Sequence, residues 1–486
     1  MNKKILLIYP GRWRSDIFVH EKRDFEPCLL LLYSYLKDHG MDHVDVLDLE
    51  RELELPGNLE QLNQYIHNIR RLLRQFTFDI VGISCYSTMC YLTTIAVAKV
   101  CKELSKDCKI VVGGYHASAL PEDFITPEGL FDFVVRGEGE DALLEICQGA
   151  YAAKENTPLI IQGTPRDLSR GVSLRWDHFR YYEPNLRQGV GLSFTRGCPF
   201  KCRYCFESTA NFKPRVYPID LALRDIKKTI ATTNPNLLWF DDPLFPAYSP
   251  WGMELLEALV KEKIQTPLVI LTRLDLLKEE QISLLSKLKV RLFFGIETGS
   301  ERMLTIMKKT NAPKAYLRKI EENLIYVNER KILSDVSLIF NHPGETPETL
   351  EESVSFFENI FSRIQEHSIW LVRQQYCFLP GSEIYNNLKF YEDTYGTVIR
   401  HKNWWKQPVE QSTLATDVIP SREAGDQIQW FERTEKFINN YLKGKRAIEP
   451  HLFILWYSHM IKSNKRRGTV DVHREESDSI RHPACV

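Results

Sequence analysis

Two successive series of short apolar runs, each followed by a stretch of helical period, constrain this chain more than any other feature. In the first 150 residues the runs lie at 5–9, at 44–47, and inside DIVGISCYST (79–88), KIVVGGYHASALPED (109–123) and DFVVRGEGEDALLEIC (132–147). Between them Leu59, Leu62, Ile66, Ile69, Leu73 and Phe76 recur at the spacing of one helix face. Strand and helix in alternation predict an α/β fold with a parallel, doubly wound, flavodoxin-like sheet over residues 1–150. Ligands of such sheets lie beyond the carboxyl ends of the strands, where strand order reverses. Those ends carry Pro10-Gly11, Ser84 to Thr88, Gly113-Gly114 and Gly137 to Gly139, and paired glycines let a ligand approach the backbone closely.

Residues 151–190, with Pro158, Pro165 and Pro184, are expected to link this domain to the second series. That series, over 191–385, contains VGLSF, LLWF, LVIL, VRLFFGI, SDVSLIF and SIWLVRQQY. Six strand–helix units predict a partial barrel, since a closed one takes eight. Beyond it a mostly helical region with Trp404, Trp405, Trp430 and Trp456 is expected over 386–462, and a polar, disordered tail over 463–486. Basic and acidic residues number 63 and 64, so no global charge draws the chain to nucleic acid. No apolar run reaches the ~20 residues of a membrane span. Pro10-Gly11 cuts the run behind Lys3-Lys4 short of a signal peptide. A cytoplasmic protein is expected.

The cysteines number 11, and most are scattered among apolar residues, as reduced core thiols are. Three are clustered: RGCPFKCRYCFES sets Cys198, Cys202 and Cys205 in a C-x3-C-x2-C array just after a strand. Thiolates so close in sequence suit one metal centre. A structural zinc wants a fourth ligand, for which Glu207 and His178 are the candidates. A 4Fe–4S cluster on three cysteines instead leaves one iron open.

This array, with aromatic Tyr204 before its last cysteine, resembles the signature of the radical S-adenosylmethionine (SAM) superfamily. The resemblance implies that the open iron chelates the amino and carboxylate groups of SAM, and that one electron cleaves it to methionine and a 5′-deoxyadenosyl radical. It continues in FFGIETGSERML (293–304), where Glu297 would accept hydrogen bonds from the ribose, and in ILTRLDLL (270–277), which offers Arg273 to the carboxylate. LLWFDDPLF (237–245) stands where the superfamily has Gly-Gly-Glu, so Asp241 or Asp242 would meet the amine. In IFNHPGETPETLEES (339–353), Gly344 would let the backbone approach adenine.

The first domain resembles the cobalamin-binding domain found ahead of many such barrels, on VVGGYHASALPED, RGEGEDALLEI and the preceding DIVGIS. The corrin would then lie against Ser84, Tyr86, Ser87, Gly113, Gly114, His116, Gly137, Glu138 and Gly139. The D-x-H-x-x-G that supplies a histidine ligand is missing, since Glu476 stands where glycine should follow His473. Base-off cobalamin without a histidine ligand is therefore expected. Together these likenesses imply an enzyme that methylates an unactivated carbon, or a phosphinate phosphorus, of a small biosynthetic molecule, fed electrons by a flavodoxin or ferredoxin. Ring contraction or oxidative cyclisation with the same cofactors is the alternative. A tRNA methylthiotransferase or a non-enzymatic cobalamin sensor is more remote.

Overall fold

The computed structural model describes residues 3–13, 26–153, 156–177, 179–181, 189–208, 213–364, 368–407, 418–424 and 447–448. Its first sheet contains β1 (Ile5–Tyr9), β2 (Val44–Asp48), β3 (Ile80–Ser84), β4 (Lys109–Gly113), β5 (Phe133–Arg136) and β6 (Leu159–Gln162). All pair in parallel in the order β2-β1-β3-β4-β5-β6. Every residue of β1 is buried, which is why the strand is apolar throughout instead of alternating. Strand order reverses between β1 and β3, so the ligand crevice expected of this topology opens beside Gly11, Ser84 and Gly113.

The strand β6 corrects one expectation. Within residues 151–190, Leu159–Gln162 complete the first sheet and Trp176 and Tyr181 pack on that domain. Ile160 of β6 is exposed at the sheet edge, and a short run between prolines gives no alternation from which to read a strand. Trp176 is almost wholly buried, and the Asp48 backbone N–H donates to Tyr181 Oη at 2.6 Å.

The second sheet begins with β7 (Gly189–Leu192), followed by a two-stranded antiparallel ribbon of β8 (Thr195–Arg196) and β9 (Arg215–Val216). It continues with β10 (Leu237–Phe240), β11 (Leu268–Thr272), β12 (Val290–Glu297), β13 (Leu333–Phe340) and β14 (Ile369–Gln375). These six principal strands run parallel in sequence order from β7 to β14, the partial barrel expected. Helices such as Pro250–Lys261, capped by Ser249, and Pro347–Arg363, capped by Thr346, cover its outside.

Of the region after the barrel, the described residues include the helices Glu383–Asn386 and Leu388–Tyr395 and the antiparallel pair β15 (Val398–Ile399) and β16 (Val418–Ile419). The two-residue β17 (Ala447–Ile448) adds to the edge of β14. Trp430, Trp456 and the tail over 463–486 lie outside the described residues. Among the described residues no helix is long and apolar enough to cross a membrane.

The two sheets share one continuous apolar core. At their junction Gly191 of β7 faces Pro27, and a Cβ there would come 2.5 Å from the proline ring. Close packing at that point turns the carboxyl ends of both sheets toward a common cleft.

Candidate cofactor sites

The cysteine loop leaves the β8–β9 ribbon and is pinned at its middle. Arg203 donates from its backbone N–H to Met307 O at 3.0 Å, from Nη1 to Ile306 O at 3.2 Å, and pairs with Glu383 at 3.0 Å. Cys198 and Cys205 are part-exposed and Cys202 is buried, all as free thiols. Burial pushes Cys205 up to about 12 and raises Cys198. Among the described residues no three cysteine, histidine or acidic side chains come together closely enough to hold a single metal ion. Three cysteines fall one ligand short of a structural zinc site and suit a 4Fe–4S cluster with one open iron. Of the two candidate zinc ligands, Glu207 accepts a hydrogen bond from Tyr115 Oη, and His178 lies outside the described residues.

Beside this loop Tyr204 Oη donates to Glu297 Oε1 at 3.1 Å. Glu297 ends β12 at a bulge with φ of +77°, a conformation rarely taken by a residue with a side chain. The bulge aims the carboxylate inward. Lys309, which no sequence signal marked, pairs with the same Glu297 oxygen at 3.1 Å and donates to Tyr204 Oη at 3.3 Å. The Lys309 carbonyl in turn accepts from Arg273 Nη1 at 3.1 Å. Arg273 is otherwise held by both oxygens of Asp275, at 2.9 Å each, and lies 3.9 Å over the Phe200 ring of the cysteine loop. Tyr204, Glu297 and Arg273 are thus brought together as expected of one site.

Three other expected contacts stand apart from that group. Asp242 accepts from the backbone N–H groups of Phe194 and Thr195 at 2.7 and 2.6 Å, which ties β7 to the ribbon; burial lifts it to about 6. Asp241 instead lines the cleft toward the first domain, and burial raises it too. Gly344, with φ of +89°, has its N–H on Pro420 O at 2.7 Å and its carbonyl on Arg302 at 2.7 Å. Next to it His342, unmarked by the sequence, is fully buried against Tyr204 and Tyr376 and pushed down to about 4 by that burial. Its Nδ1–H donates to Pro343 O at 2.9 Å, and its Nε2 has no hydrogen-bond partner among the described residues.

The common cleft has a cavity volume of about 290 Å³. From the first domain it is lined by Ser84, Tyr86, Gly113, Gly114, Tyr115 and the 137–140 loop, and from the barrel by Ser193, Arg196 and Asp241. Gly114 has φ of +101°, and a Cβ there would stand 2.7 Å from the Cys85 carbonyl. The floor at that point admits only glycine. Bare backbone along this floor lets a flat ligand approach closely. Glu26, also on the wall, is pushed up to about 8, by burial first and by Asp241 next.

Two residues expected at the corrin, Ser87 and His116, do not line the cleft. Ser87 caps the turn Thr88–Cys90 by accepting from Met89 N–H at 3.3 Å. His116 is buried behind the cleft floor, with Nε2 on Asp123 and Nδ1 on Thr88, each at 3.2 Å. Both ring nitrogens are satisfied there, so the histidine belongs to the core. Asp123 also accepts from Trp405 Nε1 at 2.7 Å and pairs with Lys406 at 2.6 Å. Trp404 and Trp405 therefore clasp the C-terminal segment to the first domain.

Comparison with known proteins agrees with this division. Residues 27–147 match the family model of the B12 binding domain, and residues 192–357 match that of the radical SAM superfamily. The anaerobic magnesium-protoporphyrin IX monomethyl ester cyclase of Rubrivivax gelatinosus is 25% identical over 59% of this chain and 55% of its own length. The hopanoid C-3 methylase of Methylococcus capsulatus is 28% identical over 46% of each chain. The chain thus spans about half the length of these two relatives. Among solved structures, the radical SAM methyltransferase TsrM of Kitasatospora setae, with tryptophan substrate and a SAM analog bound, shares the fold. It aligns with TM-score 0.61 at 17% identity, over 81% of this chain and 77% of its own.

Proposed function

As a cobalamin-dependent enzyme of the radical SAM superfamily, this chain is, we propose, a methyltransferase acting on an unactivated carbon, or a phosphinate phosphorus, of a small biosynthetic molecule. The observation that carries this reading is the single cleft shared by the glycine-rich strand ends of one domain and Ser193, Arg196 and Asp241 of the other. When bound, the cluster supplies the electron that cleaves SAM to a 5′-deoxyadenosyl radical, and cobalamin supplies the methyl group.

The chain's own part is to bind, orient and shield. Cys198, Cys202 and Cys205 hold the cluster and leave one iron free. Glu297 takes the ribose hydroxyls while Tyr204 and Lys309 fix its carboxylate. Arg273 meets the SAM carboxylate by giving up part of its pairing with Asp275, and Asp241 receives the amine from the cleft side. Gly344, its backbone groups already bonded, offers adenine only its Cα face. On the opposite wall Gly113, Gly114, Gly137 and Gly139 seat the corrin base-off, with His116 held in the core instead of on cobalt. The protein works in the cytoplasm and draws electrons from a flavodoxin or ferredoxin.

Methyl-labelled SAM tests the reading. Two SAM molecules should be consumed per product, one giving S-adenosylhomocysteine and the other 5′-deoxyadenosine, with label in the product. Deoxyadenosine formed with product, but without homocysteine derivative or label transfer, would overturn it. That outcome would select the cyclisation reading, which the cyclase relative favours.

A further inference from the structure

The Gly-Glu-Gly-Glu run at 137–140 lies in the first domain on the wall of the common cleft. Its glycines line the cleft, while its two glutamate side chains make bonds to the other domain. Glu140 pairs with Arg196 at 2.7 Å. Glu138 pairs with Arg215 through both carboxylate oxygens and accepts from Arg166 N–H at 2.8 Å. Both glutamates are buried.

The two arginines are direct cross-strand partners in the β8–β9 ribbon. Like charges placed opposite each other destabilise a strand pair, and this ribbon has only two residues per strand. Its geometry therefore depends on the carboxylates that neutralise it. The ribbon also carries the cysteine loop, since Arg196 precedes Cys198 by two residues. At the other end of the loop Glu207, two residues past Cys205, accepts from Tyr115 of the first domain. The cysteine loop is thus held by the first domain at both ends.

We propose that Glu138 and Glu140 are positioning residues that make the geometry of the cysteine loop depend on the corrin-binding loop, so that cobalamin and SAM bind with linked affinities. Corrin seated on Gly137 and Gly139 fixes the loop, the loop fixes the arginine ribbon, and the ribbon fixes the cysteines. This rests on the cofactor assignment above and not on the fate of the methyl group.

Binding without turnover provides the test. SAM affinity is read from the electron paramagnetic resonance of the reduced cluster, with and without cobalamin, and cobalamin affinity from visible absorption, with and without SAM. In the full-length, cluster-loaded protein cobalamin should tighten SAM about fivefold or more, and SAM should tighten cobalamin by the same factor. In the E138Q/E140Q variant both factors should fall to about one. Should that variant lose its cluster, E140Q alone should give an intermediate factor. Exchanging the charges with E140R and R196E should restore the wild-type value. A factor of one in the wild type, or an unchanged factor in the glutamine variants, overturns the proposal. Loss of methyl transfer with the linkage intact would count against the methyltransferase reading alone.

Discussion

On the N-terminal side of the cleft the strand ends present backbone: Ser84, Gly113, Gly114, Gly137 and Gly139, with the neighbouring charges turned aside into pairs. Away from that cleft, the barrel's own strand ends present side chains already bonded to one another, Tyr204 and Lys309 to Glu297 and Arg273 to Asp275. The first wall is a cradle whose shape is set by glycine and needs no rearrangement. The second is a closed polar network that must exchange partners to admit a charged ligand. Buried charges hold such a network firmly only while each has its partner.

The largest way to break this contrast is at the cysteines. Replacing Cys198, Cys202 and Cys205 by Ala should abolish the brown chromophore and all SAM cleavage, while cobalamin still binds. Iron content, deoxyadenosine production and visible spectra measure the three outcomes. Next in size is the barrel network: Lys309→Met leaves Glu297 buried and unpaired, and should cost about 3 kcal/mol of stability. It should weaken SAM far more than cobalamin, whereas Lys309→Arg should recover most of the loss; denaturation midpoints and titrations decide. On the cradle side Gly114→Ala should cost about 2 kcal/mol, since backbone at 2.7 Å cannot move aside. Its main effect should fall on cobalamin. Equal loss of both ligands in both variants would erase the distinction between the walls.

Acid groups on each side sharpen the comparison through pH. Burial lifts Glu26 on the cradle side and Glu345 on the barrel side from an ordinary 4.5 to about 8. Between pH 4.5 and 8 the folded chain keeps protons that the unfolded chain releases, so these groups make stability fall as pH rises through that window. Each contributes a slope of at most about 1.4 kcal/mol per pH unit. Urea midpoints of the cofactor-free protein from pH 5 to 8 should show the decline. E26Q and E345Q should each flatten it in part, and an unchanged slope in both would assign it elsewhere.

Both sheets were legible in the sequence because parallel strands are buried on both faces and read as unbroken apolar runs, LLWF and LVIL among them. The exposed edge strand β6 lacks that mark and went unread. The cysteine spacing and the glycine pairs were legible as local features. The contacts of Lys309 and Glu207 were not, because they depend on what the fold brings near: Tyr204 meets Lys309 across 105 positions and Tyr115 meets Glu207 across 92. His116 misled for the complementary reason, since its place beside Gly114 says nothing of the Thr88 and Asp123 that satisfy it.

The clasp at Asp123 also sets a timetable. This carboxylate receives the Trp405 indole from 282 positions downstream. At ribosomal speeds of about 5–20 residues per second, the N-terminal sheet waits about 14–56 s for that partner to be made. Throughout that interval the flank of the first domain beside His116 lacks its tryptophan cover and is open to water. A newborn N-terminal domain is therefore an unfinished surface, completed only when the Trp404–Lys406 turn closes over it.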